Sequence, residues 1–216
     1  MKKSALMTLP NYDEVTEYLD YFSQEIIEVS KNVRIPITVL AREKASRSNF
    51  ELELKDNCRL VVFNGHGSQN IIEGQKGEAV IINGENENLL KEKITYSRSC
   101  YSADGIGRKS MEGSINGCFI GYTLPFVFYN DTTWTNNPSK DNTAKVFFAS
   151  TNLIPIEILN GKTCHEADIK SKKAMLKAIK RNLIKGNKDS QSIAEALWNN
   201  YSVQTVIGND KTKFNI

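Results

Sequence analysis

Residues 60–64, Leu60 through Asn64, are apolar up to the last position, and the run then stops on Gly65-His66-Gly67. A strand with one wet face alternates apolar and polar side chains, so an unbroken apolar run belongs to a strand buried on both faces. The rest of the chain must cover that strand from two sides. Val15, Leu19, Phe22, Ile26 and Val29 recur at helical spacing and predict a helix over 11–31, with Asn11 as N-cap and Glu14 reaching back. VRIPITVLA (33–41) and FELEL (50–54) read as extended, the second with the alternation of an edge or hairpin strand.

Residues 65–78 read as loop, EAVIING (78–84) as a strand entering an Asn83-Gly84 turn, and ENLLKEK (87–93) as a turn or two of helix. ITYSRSC (94–100) is a second strand ending at Cys100. Beyond it the pattern predicts a helix from about Asp104, then one long strand over CFIGYTL and FVFYND, broken at Leu124-Pro125. A mobile loop at 132–142, a short helix at 143–150 and an irregular path over 152–161 follow. Helices over 165–185 and 190–201 lead to a last strand in SVQTVIGND (202–210). Strands alternating with helices predict an α/β three-layer sandwich, a mostly parallel sheet with helices on both faces. The simplest organisation is one domain over 1–216, with an N-terminal helix in 1–32 and the core sheet over about 33–210.

Charge and composition narrow the function classes. A net charge of +3 and a pI near 8.5 are too mild to imply nucleic acid or a membrane surface as partner. No apolar stretch reaches the length of a membrane span, and MKKSALMTLPNYDE lacks the apolar core of a signal peptide, so the expected location is cytoplasmic. Cys58, Cys100, Cys118 and Cys164 are scattered, with no CxxC pair and only two histidines to join them, so no metal site and no cofactor are expected. The lysine-rich helix at 165–185 carries Ile169, Leu176, Ile179 and Leu183 as its expected buried stripe, opposite a solvated basic face.

Two residues stand apart. His66 and Cys100 each close a separate apolar strand, and in open α/β sheets active groups gather at the carboxyl ends of strands. A cysteine attacks as its thiolate, and a neighbouring imidazole can take or stabilise the proton. Glycines beside His66 let the chain turn sharply, and the N–H groups of Gly67 and Cys100 are candidates for an oxyanion hole.

VVFNGHGS followed by ITYSRSCYSA resembles the His-Gly and Cys blocks of the caspase-like cysteine peptidases, the group that holds caspases, metacaspases, gingipains, legumain and CHAT domains. CFIGYTLPFVFYND is similar to the strand after the nucleophile in bacterial members, and VQTVIGND to their last strand, so the likeness covers roughly 58–210. The resemblance implies a caspase-like fold and a cysteine endopeptidase with His66 as general acid/base, Cys100 as nucleophile and Gly67 in the oxyanion hole. It also implies a protein substrate, an upstream activating protease or sensor, and a role as a bacterial regulatory or defence effector. Ser-Arg-Ser before the nucleophile, where caspases have Gln-Ala, and a His66-to-Cys100 separation of 34 residues favour the CHAT-like branch. Arg98, Asp131 and Trp134 are the candidate substrate-binding residues. Arg98 either meets an acidic P1 residue or pairs with an internal carboxylate such as Asp131 or Asp104, and Trp134 is a pocket wall or a loop anchor. The alternative function is a non-catalytic binding or scaffold module on the same fold.

Overall fold

Side chains alternate between the two faces of a strand, so a strand covered twice must find partners of both parities. A computed structural model, which describes residues 3–55, 57–134 and 137–214, shows where they come from. In chain order the strands are β1 (Ser4–Leu9), β2 (Ile37–Ala41), β3 (Cys58–Phe63), β4 (Ile71–Glu73), β5 (Ala79–Ile82), β6 (Ile94–Ser97), β7 (Cys118–Tyr122) and β8 (Gln204–Gly208). Six of them form one sheet in the order β2-β1-β3-β6-β7-β8, parallel except for β8, which runs antiparallel to β7; β4 and β5 make a separate hairpin.

The helices are α1 (Glu14–Asn32), α2 (Arg47–Glu53), α3 (Arg108–Ser110), α4 (Asn142–Thr151), α5 (Leu153–Leu159), α6 (Cys164–Lys185) and α7 (Ser190–Val203). Met7, Leu60, Val62, Tyr96 and Ile120 point to one face, where Ile26 of α1, Ile158 of α5 and Ala167 of α6 cover them. Leu6, Val61, Phe63 and Phe119 point to the other, against Phe50 of α2, the β4-β5 hairpin and Ile106. This is a three-layer arrangement around a mostly parallel sheet. Each such side chain, fully buried, contributes about 1.5–3 kcal/mol.

Several expectations are corrected. The sheet does not begin near residue 33: β1 lies ahead of the first helix and sits between β2 and β3, so the N-terminal 32 residues supply an interior strand as well as a helix. α1 starts at Glu14, and its N-cap is Asp13, in a reciprocal capping box with Thr16; Asn11 instead donates to Asp20 and accepts nothing from the helix start. FELEL is helical. Ser46 caps α2, Phe50 turns inward against Phe63 with ring centroids 5.3 Å apart, and Leu52 is left exposed. A strand would have put both on one face.

Residues 126–131 do not extend β7, because the backbone N–H and C=O of Val127 are taken by the Asn200 side chain and not by a sheet ladder. Residues 153–159 are regular helix, with Pro155 in the first turn, where a missing N–H costs nothing. The helix expected from Asp104 begins at Ala103 as a π-turn to Gly107 and ends early at Ser110. The described parts of 132–142 form two 3-10 turns, tied down where Asp141 accepts from the Tyr18 hydroxyl and the Asp131 N–H; Thr135 and Asn136 lie outside the described residues. On α6, Ile169, Leu176 and Leu183 are exposed and Ile179 is half-buried, while the buried face runs through Cys164, Ala167, Asp168, Ser171 and Met175.

The position of β1 carries a consequence for dynamics. Its amides at 5–8 are expected to exchange as slowly as those of β3, despite lying next to the N-terminus, because it is paired on both sides. Hydrogen exchange read by mass spectrometry on the 4–9 and 58–63 peptides checks this. Fast exchange in the first peptide alone would contradict the assignment.

Candidate active site

The carboxyl ends of β1, β3 and β6 lie side by side, and each delivers one chemically distinctive residue. Phe63 and Ser97 are register partners on β3 and β6. His66 lies three positions beyond the first (66 − 63) and Cys100 three beyond the second (100 − 97), so both follow the same end of adjacent parallel strands. Asp13 arrives there from the turn between β1 and α1. Chain order reverses between β1 and β3, which is where open α/β sheets leave a crevice.

The loop after β3 is tied back on itself. Glu73 donates its N–H to the His66 carbonyl and Ser68 donates to Ile71, which folds residues 66–68 against β4. Gly67 is required by close approach: a Cβ there would fall 2.8 Å from the Ser99 Cβ and 2.8 Å from the Ile71 carbonyl oxygen. The histidine loop therefore touches the residue before Cys100. The same contact is made again further on, where a Cβ on Gly105 would overlap the Gln69 carbonyl at 1.8 Å. Gly67 donates its N–H to no backbone carbonyl among the described residues.

His66 is half-exposed and bonds through Nε2 to Asp13 Oδ2 at 2.7 Å. Burial alone would raise the Asp13 carboxyl, but the N–H and hydroxyl of Thr16, together with His66, outweigh it and hold the group below the ordinary aspartate value. An ionised carboxylate only accepts hydrogen bonds. The ring nitrogen facing it must then carry the proton, which leaves Nδ1 of the neutral imidazole as the basic nitrogen. The sequence reading missed Asp13; the signal was present as Asp13 three residues before Thr16, at a helix start.

Cys100 is half-buried, whereas Cys58, Cys118 and Cys164 are buried. Burial pushes the Cys100 thiol up, opposed by hydrogen bonds from the Phe126 backbone and its own. Tyr101, the next residue, has a left-handed φ of 58°, so the chain turns sharply just past the sulfur. No hydrogen bond joins His66 to Cys100 among the described residues. The structure brings the two to one rim and leaves the imidazole on Asp13.

The candidate substrate-binding residues fare differently. Arg98 is 1% exposed and meets neither Asp131 nor Asp104. Its Nη1 donates to Ser23 Oγ at 3.0 Å and Asn64 Oδ1 at 2.7 Å, its Nη2 donates to Asn152 Oδ1, and Nε has no partner. The guanidinium lies 5.4 Å from the Tyr96 ring centroid and 5.7 Å from that of Phe148. Asp131 is exposed and accepts from the Thr133 N–H; Asp104 pairs with Gln69 and Arg108. Trp134 is half-buried, its carbonyl accepts from the Tyr18 hydroxyl, and its ring lies under the Lys140 ammonium. Among the described residues no three His, Cys, Asp or Glu side chains cluster as metal ligands, and no helix is long and apolar enough to cross a membrane. No family model and no curated protein matches the chain.

Two stability outcomes follow from this geometry. Arg98→Met leaves the Asn152 oxygen without its donor and Asn64 with one fewer, and an orphaned buried acceptor costs about 1–3 kcal/mol. Urea unfolding should show a loss of that order; an unchanged midpoint would mean the buried charge holds nothing together. Because the folded-state pKa of Asp13 is depressed, its contribution is present above the ordinary carboxylate range and is lost as pH falls through the folded value. Asp13→Asn keeps a competent helix cap. It should therefore flatten the acid limb of the stability curve, measured as urea midpoint against pH, without shortening α1.

Proposed function

We propose that the chain is a cysteine endopeptidase of the caspase-like kind, with Cys100 as nucleophile and His66 as general acid/base. The observation that supports this best is the matched placement of the two residues, each three positions past a paired site on adjacent parallel strands. Nδ1 of His66 takes the Cys100 thiol proton, the resulting thiolate attacks the scissile carbonyl carbon, and the carbonyl oxygen takes the negative charge. The Gly67 and Cys100 N–H groups stabilise that oxyanion. Protonated His66 then gives its Nδ1 proton to the departing amine, the C–N bond breaks, and an acyl thioester remains on Cys100. Water, deprotonated by the same imidazole, hydrolyses the thioester and restores the thiol.

Asp13 is a positioning residue in this scheme. It fixes the Nε2–H tautomer and leaves Nδ1 free to turn toward Cys100. Arg98 holds the end of β6 from behind and does not meet the substrate. The raised thiol and the engaged imidazole describe a resting centre, in keeping with a cytoplasmic bacterial effector that waits for a sensor or an activating protease. The same two observations favour the second reading, a binding or scaffold module in which the pair is never used.

A P1-positional fluorogenic peptide screen on wild type, Cys100→Ala and His66→Ala separates these. Cleavage by wild type, abolished in Cys100→Ala and slowed by about 10²–10⁴-fold in His66→Ala, is the expected result. Cleavage retained in Cys100→Ala would exclude this centre. If no variant cleaves, iodoacetamide labelling decides. Labelling confined to Cys100, accelerating as pH rises toward its elevated pKa and slowed by His66→Ala, supports a resting enzyme. Labelling indifferent to His66 supports the binding module.

A further inference from the structure

A groove of about 850 Å³ runs between α4 and α6, far along the chain from the sheet rim. Lys145 stands on one wall, and Lys177, Arg181 and Lys185 on the other. None of the four makes an ion pair among the described residues, whereas Lys170 and Lys172, on the same helix, are matched with Glu157 and Asp168. The groove is lined by no carboxylate, and neither 142–151 nor 169–185 contains an acidic residue. Its floor is apolar and small, with Val146, Ala149 and Ala178, and Ile184 closes one end at 74% exposure.

We propose that this groove docks an acidic amphipathic helix of a partner protein. Lys177, Arg181 and Lys185 are spaced four residues apart, about 6 Å along the axis per step, the spacing of carboxylates at every fourth position of a second helix. Alanines at 149 and 178 let such a helix approach closely, and its apolar stripe covers the floor and Ile184. A protein is favoured over a nucleic acid because the lining offers no aromatic ring for base stacking and its floor is aliphatic. This inference stands apart from the peptidase reading and would hold for a binding module as well.

The test titrates the full chain with a labelled synthetic helix of about 16 residues, about 24 Å long, with glutamates along one edge and leucines beside them. Fluorescence anisotropy is read against a scrambled peptide of the same composition, a single-stranded oligonucleotide and phosphatidylserine vesicles. The amphipathic peptide should bind more tightly than all three. Lys177→Glu combined with Arg181→Glu should weaken it by about tenfold or more, and Ala178→Trp, which fills the floor without touching charge, should do the same. Circular dichroism and Cys100 labelling should be unchanged in both variants. Absent binding, equal binding of the scramble, indifference to Ala178→Trp, or tighter binding of the oligonucleotide or vesicles would each overturn the proposal.

Discussion

A fully buried guanidinium with no carboxylate beside it is the constraint around which the molecule is arranged. Taking Arg98 out of water is expensive, and the cost is offset by dipoles and rings rather than by an ion. Ser23 brings in α1, Asn64 the end of β3, Asn152 the junction of α4 and α5, while Tyr96 and Phe148 lie near the guanidinium within cation–π distance. Asn152 also donates to the exposed Glu25, so one amide links the guanidinium to a carboxylate. Four separate elements meet on one side chain. The two residues after it are Ser99, which packs on the histidine loop, and Cys100.

At the rim beyond it, the backbone is tied down while the imidazole is engaged elsewhere. The histidine loop is fixed by its bonds to β4 and by backbone contact at residues 67 and 99. The imidazole itself needs only a side-chain rotation to leave Asp13, since more than a third of its surface is open. The backbone of the histidine loop is thus held against the segment that carries Cys100, while the imidazole at its tip is held by a single hydrogen bond to Asp13.

Much of this was legible in the residues and some of it was not. The unbroken run at 60–64 correctly implied a sheet covered twice, and the strand ends at His66 and Cys100 do fall on adjacent parallel strands. β1 was hidden because Ala5–Leu9 is short and follows lysines, so nothing local marks it as interior; its pairing with residues 37–41 and 58–63 is a long-range fact. FELEL failed because alternation in five residues fits a strand and a single helical turn alike, and Ser46 upstream decided the matter. The α6 stripe failed at Ile169, Leu176 and Leu183 and held in part at Ile179, because the helix packs through Ala167, Ser171, Asp168 and Met175, with Ser171 and Asp168 hydrogen-bonded to the Gln204 side chain. Asp13 and the partners of Arg98 come from segments distant in sequence, and a local pattern cannot report them.

Asp13 is at once the cap of α1 and the holder of the His66 ring, and that double duty sets a schedule. A growing chain emerges from its N-terminus. The carboxylate and the helix it starts are made first, the imidazole some fifty residues later, and the sulfur last of the three (positions 13, 66 and 100). By the time Cys100 leaves the ribosome, both members of the Asp13–His66 pair have already been made, so the contact that holds the ring needs nothing from the segment that carries the thiol.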